Sequence, residues 1–170
     1  MKRSTCIALL MLCTPVQLGM AANIPLPAQR ALTLIGTVEL PRLMFELCKA
    51  RAPQSASKNS ESYGAWRQKF GELSASAWRL LDEHNEALAP MLSAFTEGNV
   101  TSVHQAPDVS LKMLNSSADA RGASYVQDMC TKYPDFLATL QEGYESKVLT
   151  QMEALKTSFS IEQRSPRRDR

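Results

Sequence analysis

Histidine occurs twice and cysteine four times in this 170-residue sequence, and aromatic residues make up only 6% of it. It contains no Gly-x-Ser-x-Gly elbow, phosphate-binding glycine loop, His-Glu-x-x-His or Cys-x-x-Cys-His. None of the compact signatures of hydrolase, nucleotide or haem chemistry therefore applies. That weakens an enzymatic reading and leaves only one built from acid and base groups dispersed along the chain. Beyond its first 22 residues no apolar run approaches the ~20 residues of a membrane-spanning helix, so no membrane span is expected there.

What is present begins with an export signal. Lys2 and Arg3 precede the apolar run Cys6 to Cys13, and Gly19-Met20-Ala21-Ala22 supplies small residues where a signal peptidase cuts. Residues 1–22 are read as a cleaved secretory signal peptide, and the protein is expected to be periplasmic or secreted, beginning near Ala22 or Asn23. Cleavage removes Lys2 and Arg3, so nineteen basic residues become seventeen, against seventeen acidic ones. A chain of net charge near zero has no general attraction for polyanions, and no nucleic-acid partner is expected. The remaining imbalance lies at the end, where Arg164, Arg167, Arg168 and Arg170 accompany a single acid, Asp169. Residues 160–170 are read as a disordered basic tail whose binding, if any, would be to anionic surfaces.

Cleavage also removes Cys6 and Cys13, leaving Cys48 and Cys130. An even pair in an exported chain is most simply a disulfide. Neither cysteine has a second Cys or His at ligand spacing, which argues against a metal site. A bridge closing a loop of about 80 residues would stabilise the fold by up to about 4 to 5 kcal/mol in the chain-entropy account.

The longest uninterrupted pattern runs from Tyr63 to Phe95 and reads as the element around which the rest is organised. Tyr63, Trp66, Phe70, Leu73, Ala77, Leu80, Leu81, Leu88, Met91, Leu92 and Phe95 recur at steps of threes and fours. At helical pitch they share an arc of roughly 120°, the face that a helix buries. Gln68, Glu72, Arg79, Asp82, Glu83 and Glu86 occupy the opposite, solvated side, with Arg79 and Glu83 one turn apart and placed to pair weakly. Pro90 predicts a kink or a stop and restart, and Gly98 the end.

Before this stretch, Ala28 to Leu40 fits strand and helix patterns alike; a helix is preferred because a lone strand has no partner. Pro41 then suits the first turn of a separate helix to about Arg51, with Cys48 inward, and Ala52 to Ser62 reads as a loop. After Gly98 a short helix is predicted from Asp108 to Leu114. Ser116 and Asp119 resemble a capping box that starts the helix bearing Tyr125, Val126, Met129 and Cys130. Pro134 begins the second long amphipathic helix, whose apolar positions continue through Tyr144, Val148 and Leu155 to Phe159.

The chemistry-bearing residues have plain structural readings. His84 lies on the apolar arc of the long helix; a hydrogen-bonded core histidine is the commoner case, and a haem or metal ligand the less favoured one. His104 falls in a loop with no recognisable partner. Asp82, Glu83 and Glu86 could make an acid/base pair or a cation site, but acids on a solvated helix face are ordinary. Trp78 lies just off the apolar arc and reads as packed under a neighbouring helix, or else at the edge of a groove. Asn99-Val100-Thr101 and Asn115-Ser116-Ser117 match the glycosylation pattern.

The expectation is an all-α domain over residues 23–159: a small bundle of four to six helices, two of them long and amphipathic, with one Cys48–Cys130 disulfide. The function that fits is non-catalytic binding of a protein or a small apolar ligand, without a cofactor. Glu72, Arg79 and Glu83 on the solvated arc, and Arg164, Arg167 and Arg168 in the tail, are the candidate interaction residues.

Overall fold

Helix α1 (Leu26–Arg51) runs through the centre of the computed structural model, which describes residues 24–164. Around it stand α2 (Ala56–Glu83), α3 (Asn85–Phe95), α4 (Ala106–Arg121), α5 (Ala123–Thr131), α6 (Tyr133–Gln141) and α7 (Tyr144–Arg164), with two short 3₁₀ turns at Pro53–Ser55 and Val103–Gln105. The described residues contain no strand. No helix among them is long and apolar enough to cross a membrane. The signal segment, and Arg167 and Arg168 of the basic end, lie outside the described residues.

The organising element is therefore α1 and not the Tyr63–Phe95 stretch, because α1 packs against every one of the other six helices. Its neighbouring residues Leu34 and Ile35, and again Leu43 and Met44, are buried side by side. A helix covered on several sides keeps only a narrow exposed strip, here Gln29, Thr33 and Gly36, so it shows no clean helical period. The ambiguity of Ala28 to Leu40 in sequence has this cause. Pro41 does not start a new helix but sits inside α1, where it leaves one backbone acceptor without its usual donor. Burial all round holds the helix together across that point.

The described residues form seven α-helices where four to six were expected, because the breaks fall at other places. The long element is interrupted at His84, not at Pro90, which lies within α3. Asn85 explains the position: its Oδ1 accepts the Val103 N–H (3.1 Å) and the Ser102 hydroxyl (3.3 Å), fixing the turn that precedes α4 to this point. The Ser116 capping box does not form. Ser116 lies inside α4 and its hydroxyl donates to the Lys112 carbonyl (3.1 Å), while the actual break is Gly122 at φ 85°. Gly143, at φ 75°, likewise splits the predicted last helix into α6 and α7, and α7 continues to Arg164, past the last predicted apolar position. The loop expected over Ala52 to Ser62 is shorter than its polar composition indicates, because α2 already begins at Ala56.

Cys48 and Cys130 are bonded, with Cα atoms 5.3 Å apart and both side chains fully buried. The bridge joins the end of α1 to the end of α5. Asn59, also buried, donates from Nδ2 to the Cys130 carbonyl (3.1 Å), so the start of α2 is held at the same place. Elsewhere in the core, Trp66 and Phe70 of α2 lie 4.6 Å apart by ring centroid and meet Tyr144 of α7 at 4.7 and 4.8 Å. Tilted and edge-on aromatic contacts of this kind add to the area they bury.

Candidate functional site

Two surface regions concentrate side chains with chemistry to offer. The first is built on Trp78. Being just off the buried arc of α2, its ring is half-buried against the core while its Nε1–H points to α1, where it donates to Glu39 Oε1 at 2.8 Å. Glu39 is the one charged residue buried among the described residues, and its other oxygen pairs with Arg42 one turn on. His104 lies flat on Trp78, centroids 5.2 Å apart and planes 9° apart, and its Nε2 is 2.7 Å from Asp82 Oδ1. Buried Val103 and the Asn85 contacts hold the 3₁₀ turn that presents His104. The sequence reading left His104 without a partner; the fold supplies two, from a helix earlier in the chain, which no local pattern could show.

Chemically this cluster is a brace. Asp82 and His104 are about half exposed or more, at 49% and 62% of their side chains, so a substrate held between them would remain largely in water. The chain Arg42, Glu39, Trp78, His104 and Asp82 ties α1, α2 and the turn before α4 together. Burial tends to lower the Arg42 pKa, but the hydrogen bond and charge of Glu39 outweigh it and the net shift is upward. Trp78 thus packs between neighbouring elements.

The predicted recognition residues Glu72, Arg79 and Glu83 are all exposed on the outer strip of α2, as the arc predicts. They form no joint site. Arg79 donates to the Ser76 hydroxyl (2.8 Å), and the expected Arg79–Glu83 pair is absent from the ion pairs of the described residues. Arg164 is the last residue of α7, and the other two candidate arginines lie outside the described chain. His84 stacks on Phe159 of α7, centroids 4.1 Å apart. Among the described residues no three His, Cys, Asp or Glu side chains group so as to hold a metal ion.

The second region follows the outer side of α7. A shallow depression of about 450 Å³ lies between the first turns of α1 and the last turns of α7, bordered by Leu26, Arg30, Glu153, Thr157 and Ile161. Another, of about 540 Å³, lies between α2 and the start of α7, bordered by Lys69, Phe70, Glu145 and Leu149. Thr150 borders both. Each has an apolar floor with a cation and an anion at its edge. Leu26, Leu149 and Ile161 are 41%, 50% and 54% exposed. Sequence reasoning passed over Leu149 and Ile161, although a signal was there: both are large apolar residues out of phase with the Tyr144–Phe159 series that faces the core.

Comparison with protein-family models, with curated proteins and with solved structures finds no match to this chain.

Proposed function

We propose that this protein is an exported, non-catalytic protein-interaction module that recognises its partner along the outer side of α7. One observation carries the reading: of the five large apolar side chains exposed among the described residues, three border the shallow depressions along α7, Leu26 and Ile161 the one and Leu149 the other. Apolar residues scattered singly mean little, whereas a grouped set at a concave surface is the usual mark of a binding face. A protein fits this face better than a small apolar ligand, because the depressions are broad and open and would leave much of a small ligand in water. The outer strip of α2, with Glu72, Arg79 and Glu83, offers charges without apolar anchors. The basic end would add a salt-sensitive contact, since exposed charges are screened over about 10 Å at 0.1 M.

Affinity capture from the native compartment tests this, comparing wild type with Leu149→Asp and Ile161→Asp. Both residues are half exposed, so the variants are expected to melt close to wild type and to lose a partner that the wild type retains. A Glu72, Arg79, Glu83 charge-reversed variant is expected to keep it. If the α7 variants retain the partner and the α2 variant loses it, the face is wrongly assigned. An enzyme with dispersed acid and base groups is the alternative; it would use Asp82 with His104, and turnover lost in His104→Gln but kept in Ile161→Asp would favour it.

A further inference from the structure

We infer that Asn99 is a glycan attachment site, taking an oligosaccharide from a lipid diphosphate donor, whereas Asn115, with the same Asn-x-Ser/Thr pattern, stays bare. The inference goes beyond the α7 reading and shares only export with it.

In the transfer, Asn99 Nδ2 bonds to the sugar C1 as the bond from C1 to the phosphate oxygen breaks. The lipid diphosphate leaves and the amide nitrogen gives up one proton. For this the asparagine and the hydroxyl two residues later must come free of the fold together, on a short surface segment. The two candidates differ in what has to open first.

Asn99 lies in the connection between α3 and the 3₁₀ turn at Val103–Gln105, where Glu97 and Gly98, at φ 53° and 83°, turn the chain off the end of α3. Glu97, Gly98, Asn99 and Thr101 are all exposed. Asn99 Nδ2 donates to the Thr96 carbonyl (2.7 Å), and the Thr101 N–H and hydroxyl donate to Gln105 Oε1 (2.7 and 3.0 Å). These contacts reach no further than four residues and lie at the surface, where water replaces them at little cost. Within this segment only Val100 is buried, at 2% exposure, so opening it withdraws a single side chain from the core. Local opening of that extent belongs to the low-cost end of a folded chain's fluctuations.

Asn115 is placed otherwise. It lies half-buried inside α4, with Nδ2 donating to the Leu111 carbonyl (3.0 Å) and Oδ1 accepting from Nε and Nη2 of Arg51 at the end of α1 (3.4 Å each). Arg51 also pairs with Asp119 of α4 at 2.9 Å. Presenting Asn115 together with Ser117 would unwind the middle of α4 and break its tie to α1. An oligosaccharide on its Nδ2 would then stand in that contact and oppose refolding of the helix.

Intact mass and peptide mapping of the full chain isolated from its native compartment are the test. The wild type is expected to exceed the mass of the signal-cleaved polypeptide by one oligosaccharide, mapped to Asn99 and removed by an amidase that leaves aspartate there. Asn99→Gln removes the acceptor nitrogen, and Thr101→Ala keeps it but removes the hydroxyl that the pattern requires. Both positions are exposed, so each variant is expected to melt with the deglycosylated wild type and to show the bare polypeptide mass. Asn115→Gln is expected to keep the glycan. A signal-cleaved wild type at bare polypeptide mass overturns the inference and leaves export standing, whereas a bare chain that retains residues 1–22 removes both. A glycan mapped to Asn115, or added mass that persists in Asn99→Gln, also overturns it.

Discussion

Tyr133 shows how much a single side chain does in this fold. Fully buried, it donates its hydroxyl proton to the Pro41 carbonyl at 2.8 Å, joining α6 to the middle of α1 beside the proline that interrupts its backbone ladder. Tyr133→Phe should lower stability by about 1 kcal/mol, the net worth of one hydrogen bond, as read by denaturant titration. Burial also raises the pKa of Tyr133, of Tyr63 and of Tyr144, the last partly offset by Ser74. Each of these phenols keeps its proton in the folded state at a pH where the unfolded chain has released it. The stability they contribute is complete below the unfolded value of about 10 and falls as pH rises above it toward the folded values. Unfolding free energy measured from about pH 8 to 11.5, a range that brackets the unfolded value, should be flat and then decline, with a shallower decline in Tyr133→Phe. A profile that stays level throughout would show that these rings ionise without cost.

At the scale of the helix, fold and surface separate cleanly on α2. Phe70 lies between Trp66 and Tyr144 in the core, and Phe70→Ala should cost about 3 to 5 kcal/mol. Reversing the charges of Glu72, Arg79 and Glu83 on the outer strip should shift stability by less than about half a kcal/mol for each residue. Thermal melts of the two variants make the comparison, and a large loss in the charge-reversed variant would mean that this strip is covered. This division was legible in the sequence because α2 is buried on one side only, and a one-sided helix writes its orientation into its period. α1 wrote none, being packed by six neighbouring helices, and α7 was half legible: Tyr144, Val148 and Leu155 are buried as the period predicts, while Leu149 and Ile161 break it.

For the whole molecule the disulfide matters most, since it closes a separation of 82 residues and holds the ends of α1 and α5 together while Asn59 brings in α2. Cys48→Ser should lower the unfolding free energy by up to about 4 to 5 kcal/mol under oxidising conditions, and reduction of the wild type should cost a similar amount. Chemical denaturation with and without reductant tests both. A variant as stable as the oxidised wild type would show that six helices packed on α1 suffice without the bridge.

The sequence by itself determined the helical class, the cysteine partners and the solvated strip of α2. Each of these follows from short-range regularities: a helical period, a leftover pair of thiols, a run of acids on one arc. Only the tertiary structure decided that α1 is the centre, that His104 and Glu39 meet Trp78 from different elements, and that Leu149 and Ile161 remain uncovered. The reason is physical. Local pattern fixes which residues share a face of a helix, but whether that face meets water or another helix depends on elements far away in the chain, and the pairs Asp82 with His104 and Glu39 with Trp78 exist only because the packing around α1 brings their elements side by side.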